Sequence, residues 1–173
     1  LSEASLIREL EAACWMLEDG DDAGHRWCET EGYPGYTSYA SLNDLPERAP
    51  AFADLVRILD AEAAKFAAAL HWDLGQATLI CDSLWVNILG EGGHHSGHIH
   101  PGSVLSGTCY ISMPEGSGAL KLEDPRLGLM MAAPQAKSSV PDSQNRFFYA
   151  HPKVGEILIW ESWLRHEVVT GSN

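Results

Sequence analysis

Leu6, Leu10, Cys14 and Leu17 recur at helical spacing, and Phe52, Leu55, Val56, Leu59, Ala63, Phe66 and Leu70 do so more clearly, so the first third of the chain reads as helical. Pro50 suits the first turn of the second helix, where its missing N–H costs nothing. Between the two stripes lies an acidic, glycine-containing connection, followed by the aromatic stretch GYPGYTSYASL from Gly32 to Leu42, a short strand or a loop packed on the domain. Its tyrosines Tyr33, Tyr36 and Tyr39 read as packing residues.

After about residue 76 the pattern changes to short β-type runs separated by Gly, Pro, Ser and Asp. The runs are Thr78 to Leu89, Ser103 to Met113, Ala119 to Glu123, Leu127 to Ala132, Arg146 to Ala150, Glu156 to Trp160 and His166 to Thr170. That many short strands in succession predict an antiparallel sandwich or barrel rather than a doubly wound parallel sheet. Helices first and strands afterwards give an α+β class: a jelly-roll (double-stranded β-helix, cupin-like) core with the N-terminal helices packed on its outside. We expect one domain over 1–173, with 1–75 as a helical support region and 76–173 as the jelly-roll core.

The 173 residues are 45% hydrophobic and 20% charged, enough apolar material for a sizeable core. Acids outnumber Lys and Arg 24 to 11, a formal charge of −13, which argues against nucleic acid and anionic membranes as partners. No apolar run is long enough to span a bilayer, and a cytoplasmic location is the expectation. Cys14, Cys28, Cys81 and Cys109 form no CxxC pair and are expected to be reduced, mostly buried thiols. The chain begins at Leu1 and stops at Asn173 just after an apolar stretch, so we expect it to be trimmed at both ends.

Four of the eight histidines, His94, His95, His98 and His100, crowd into GEGGHHSGHIHPGS. Pro101 pushes His100 toward extended geometry, so His98 and His100, two apart, should point to the same face and can chelate one metal ion. The third ligand must come from elsewhere, and His166 in ILIWESWLRHEVV, at a strand start, is the best candidate. His94 and His95 read as a solvated loop, and His25, His71 and His151 as ordinary surface or core side chains. No GxSxG elbow, Walker loop or GxGxxG follows a strand. The HxxxH spacing of His94 and His98 is set among Gly92, Gly93 and Gly97, unlike a zinc-protease helix.

Trp85-Val86-Asn87, His98-Ile99-His100-Pro101-Gly102-Ser103, Leu105-Ser106-Gly107-Thr108-Cys109-Tyr110, Gly118-Ala119-Leu120, Asp124-Pro125-Arg126 and Trp163-Leu164-Arg165-His166-Glu167-Val168 form an ordered series. It resembles a group of 2-oxoglutarate and Fe(II)-dependent oxygenases with the pattern HxHP…SG…Y…P…DPR…SWLxHxV. The likeness covers about residues 82–170. It implies a double-stranded β-helix, Fe(II) held by His98, His100 and His166, 2-oxoglutarate and O2 as co-substrates, and hydroxylation or a related oxidation. Asn87, Tyr110 and Trp160 are the candidate co-substrate pocket residues. The prime substrate would be a small molecule or a protein side chain, and the oligomeric state is left open, a homodimer included.

Two departures from the wider superfamily matter. The carboxylate of the usual His-x-Asp/Glu pair is replaced by His100, which raises the site's formal charge by one unit and should weaken the hold on metal in acid. An Arg commonly follows the distal histidine to pair with the far carboxylate of 2-oxoglutarate, yet no Lys or Arg follows His166 here. Strand alternation sends Arg165 to the opposite face, and Leu120 and Leu122 are a more natural inward pair than Lys121. We expect the Arg in a continuation beyond Asn173. Two alternatives stand beside the oxygenase reading. One is a three-His cupin-like metal dioxygenase or hydrolase that does not use 2-oxoglutarate. The other is a non-catalytic jelly-roll module that binds a metal, a ligand, or a partner through its acidic helical third.

Overall fold

The computed structural model describes residues 1 and 3–172. The first stripe forms α1 (Ala4–Gly20), which buries Leu6, Leu10, Ala13 and Leu17. The second forms α4 (Pro50–Ala69), with Pro50 in its first turn and Ala51, Phe52, Leu55 and Ala67 buried. Val56, Leu59, Ala63 and Phe66 are only half-buried and Leu70 lies past the helix end, so the stripe's tight contact is at its N-terminal half. The two helices share one core with Tyr36, Leu45 of the short α3 (Leu45–Arg48) and Val86. Cys109 and Ile111 pack against that core, which seats the helical layer on the outer side of the β-structure. The four cysteines are free thiols.

The connection between the two stripes is itself a helix, α2 (Asp22–Glu31), which the hydrophobic pattern does not announce. Its start is fixed by Asp21, a buried carboxylate that accepts hydrogen bonds from Gly24 N (2.9 Å), Tyr36 Oη (2.9 Å) and Ser41 Oγ. Burial alone would raise the Asp21 pKa, but the bonds from Ser41, Gly24 and Tyr36 outweigh it and hold the carboxyl below its ordinary value. Gly24 must lack a side chain, since a Cβ there would lie 2.2 Å from Asp21 Oδ2.

Three antiparallel sheets follow. Within the aromatic stretch, β1 (Tyr36–Thr37) pairs with β2 (Asn87–Ile88). A four-stranded sheet has the order β3 (His95–His98), β8 (His166–Val168), β5 (Leu120–Glu123), β6 (Phe147–Ala150). The third pairs β4 (Leu105–Cys109) with β7 (Ile157–Glu161). Mixed helix and antiparallel sheet is the α+β class expected, but among the described residues the strands form three separate sheets and no closed barrel.

Two predicted strands are corrected. Leu127 to Ala132 is not a strand: it contains the short helix α5 (Leu127–Met130). The Asp124 side chain accepts from Arg126 N (2.7 Å) and starts the turn, and Leu129 and Met131 stand 87% exposed rather than covered as a strand's apolar face would be. Of Thr78 to Leu89, only Asn87–Ile88 joins a ladder; upstream, Cys81 N donates to Asp60 Oδ1 (2.6 Å), so that segment is held to α4.

Removing the Asp21 carboxylate would leave the Tyr36 and Ser41 hydroxyls without their acceptor. Asp21→Ala is expected to cost about 2–3 kcal/mol, measured as a lowered urea midpoint with an unchanged slope.

Candidate metal centre

β8 lies in the middle of its sheet, and His166 faces His98 on one neighbour and Leu122 on the other. Directly opposed residues of an antiparallel pair share a face, which brings the His98 and His166 rings to 4.3 Å between centroids. His100 sits just past the end of β3, where its backbone N–H donates to Ser162 O (3.2 Å) and so ties it to the end of β7. Its Nε2 lies 3.2 Å from His166 Nε2. Two nitrogens each ~2.1 Å from one ion and at right angles would be about 3 Å apart, so this spacing suits a shared metal.

Each of His98, His100 and His166 offers a ring nitrogen, and these atoms all lie within 4.8 Å of one another. Two of the rings are oriented by the backbone: His98 Nδ1–H donates to Ser96 O (2.7 Å) and His166 Nδ1–H to Leu164 O (2.8 Å). Those bonds select the tautomer that leaves Nε2 with its lone pair free for an ion. Burial pushes the His166 pKa down to about 4, against the opposing Leu164 bond, and burial followed by the neighbouring His98 lowers that of His100. Neutral imidazoles are the ligating form.

Trp160 of β7 is 5% exposed, its ring centroid is 4.7 Å from that of His166, and its Nε1–H has no hydrogen-bond partner. The Tyr110 hydroxyl is likewise buried with no partner at hydrogen-bond distance, and burial raises its pKa to about 12 against a smaller lowering by the nearby Thr108 side chain. Ser106 stands opposite Trp160 across the β4–β7 ladder, and strand alternation continues from Ser106 through Thr108 to Tyr110 on that face. Ser106 Oγ also meets Ser162 Oγ at 2.7 Å. Asn87 is placed differently: it is exposed, on β2 opposite Thr37, with no side-chain bond toward the histidines among the described residues.

Neither Lys121 nor Arg165 is directed at the histidines. Lys121 pairs with Glu167 Oε1 (2.6 Å) and lies over the Phe147 ring, while Arg165 Nε approaches Glu123 Oε2 (3.6 Å). Leu120 is buried, as its inward placement requires.

The sequence reading missed three neighbours of the cluster. His95, expected on a solvated loop, lies in β3 with its ring stacked on His98 at 4.5 Å and 20°. Three positions apart on a regular strand they would face opposite ways, but the β3–β8 register shifts between them and turns both to one side. Tyr33 contacts His95 (5.4 Å) and Trp85 contacts His100 (5.8 Å). Proximity of tyrosines to the histidine segment had no signal in spacing; Trp85 belonged to the motif series without an assigned role.

Burial also pushes the His95 pKa down to about 4. In the unfolded chain His95 and His166 take up protons near pH 6.5, whereas in the fold they resist until about pH 4. Stability of the metal-free protein is therefore full above about pH 6.5 and falls progressively toward pH 4. Thermal melts across that window should show the fall, and His166→Leu should flatten part of it.

The centre lies inside the segment that matches a known family. A family model described as "Putative 2OG-Fe(II) oxygenase" matches residues 83–172, just over half of the chain. No curated protein matches the sequence. The match spans all three clustered histidines together with Tyr110 and Trp160, and the chain belongs to the 2OG-Fe(II) oxygenase family.

Proposed function

We propose that the protein is an Fe(II)- and 2-oxoglutarate-dependent dioxygenase that hydroxylates a small molecule or a protein side chain. The observation that carries this reading is the convergence of His98, His100 and His166 on one point. The donor chemistry fits: imidazole suits iron, and three imidazoles on one side leave the opposite positions open. When bound, Fe(II) with 2-oxoglutarate and O2 supplies an oxidising equivalent through decarboxylation of the co-substrate to succinate.

The chain's own residues have separate tasks. His98 and His166 present Nε2 because Ser96 O and Leu164 O hold their Nδ1 protons. The Trp160 indole N–H and the Tyr110 hydroxyl are buried donors awaiting acceptors, which supports co-substrate oxygens as their partners. Asn87 is proposed only as a residue of the mouth, since it is exposed. Trp160 against His166 also keeps water from that ligand's inner side.

The all-imidazole donor set and the engagement of Lys121 and Arg165 with glutamates favour a second reading, a three-His dioxygenase that does not use 2-oxoglutarate. One experiment separates the two. Metal-free protein is titrated anaerobically with Fe(II) and then with 2-oxoglutarate, following the visible charge-transfer band of the chelate. A band in the wild type, absent in His98→Ala and His166→Ala, is the expected result; iron binding without a band selects the second reading. Tyr110→Phe should weaken 2-oxoglutarate binding about 10- to 150-fold with iron affinity unchanged, the loss of one hydrogen bond to a charged group.

A further inference from the structure

Two arms of aromatic side chains leave the candidate metal centre and meet at the surface. From His98 the stacked ring of His95 leads to Tyr33 (5.4 Å between centroids), then to Trp27 (6.4 Å) and Tyr39 (6.4 Å). From His100 a shorter arm runs through Trp85 (5.8 Å) to the same Tyr39 (5.2 Å). Tyr39 is 61% exposed, whereas Tyr33, Trp27 and Trp85 are half-buried. Each pair lies within the range of ordinary aromatic contact. Tyrosine and tryptophan are also the aromatic side chains that give up one electron most readily. Packing requires neither two arms starting on two proposed ligands nor an exposed phenol where they converge.

We propose that this circuit is an electron relay that protects the centre when oxidation begins with no oxidisable substrate in place. The inference rests on the iron and 2-oxoglutarate reading above. Decarboxylation leaves a two-electron oxidant at the centre, so the relay runs twice: each time Tyr39 loses one electron, which passes ring by ring to the centre as a proton is taken up there from solvent, and its phenolic proton, which goes to bulk water. The tyrosyl left at the surface regains one electron and one proton from a soluble reductant of the thiol or ascorbate class. Without the relay the same electrons are taken from the groups at the centre itself, the buried Trp160 and the ligand imidazoles.

The test starts with Fe(II)-loaded protein and 2-oxoglutarate under anaerobic conditions, where the charge-transfer band reports whether the site is assembled. O2 is then admitted without further substrate. Freeze-quenched samples are examined by electron paramagnetic resonance, and digests are mapped by mass spectrometry for added oxygen. The expected result is a tyrosyl signal in the wild type that falls several-fold in Tyr39→Phe, with several-fold more oxygen on Trp160 and His166. Phe keeps the Tyr39 ring, and a second variant, Trp27→Phe with Trp85→Phe, cuts both arms and should give the same change. Trp15→Phe, on the exposed side of α1 and outside the circuit, should match the wild type. A band accompanied by no tyrosyl signal, or by signal and oxidation map unchanged in Tyr39→Phe, overturns the relay and leaves the iron reading standing. Absence of the band overturns both.

Discussion

The pairing of His98 with His166 across the β3–β8 ladder is the constraint on which the rest of the centre depends. Because side chains alternate along a strand, a slip of one residue in β8 would replace His166 by Arg165 or Glu167 on the inner face. The opposite face resists that slip. Glu167 meets Lys121 across β5, and Arg165 lies against Glu123 and over the bare Gly97, where a Cβ would stand 2.9 Å from its guanidinium. Such partly exposed pairs contribute little energy singly, ~1 kcal/mol or less, but each is satisfied only in one register. The two cations nearest the histidines by sequence or fold thus hold the sheet in place rather than facing the centre.

The absence of a cation or a carboxylate among the clustered side chains shapes the electrostatics. Burial and mutual proximity keep His166 and His100 neutral, so the positive charge of a bound divalent ion would be undiminished by its protein ligands. The chain's formal charge is −13, so the centre would be a local positive point on an acidic molecule. Trp160 Nε1–H and Tyr110 Oη–H are neutral donors. They can orient an anionic ligand but add little long-range attraction, which leaves the ion itself as the main source of affinity for an anion.

How much of this was legible in the sequence follows the range of the forces involved. The helical stripes through Leu6, Leu10 and Leu17 and through Phe52 and Leu55 record a local periodicity, and they fold as read. The convergence of His98, His100 and His166 was legible because alternation and Pro101 constrain the first pair and a strand start marks the third. α2 was not, because its anchor is a buried aspartate whose partners Tyr36 and Ser41 lie up to 20 positions away. Leu127 to Ala132 had the composition of a strand but follows a turn fixed by Asp124 and folds into a helix, and pairing, not propensity, makes a strand. His95 was hidden by a register shift, a feature that alternation rules assume away.

The helical third therefore does more than support the sheets. Asp21 fixes Tyr36 and Ser41, and between them the fully buried Ser38 binds Val86 on both sides, accepting from its N–H at Oγ (2.9 Å) and donating its own N–H to Val86 O (3.0 Å). That stitch sets the path of the neighbouring Trp85, which reaches His100 on one side and Tyr39 on the other. A carboxylate at the α1–α2 junction, remote from the histidines in sequence, is thereby connected through two hydrogen-bonded serines and a two-residue ladder to the surroundings of a ligand ring. The family match begins at residue 83 and takes in Trp85 but not Asp21, Tyr33 or Tyr39. Tyr33, from the half of the chain outside that match, lies against His95, so part of the wall around the clustered histidines is built by residues remote from them in sequence.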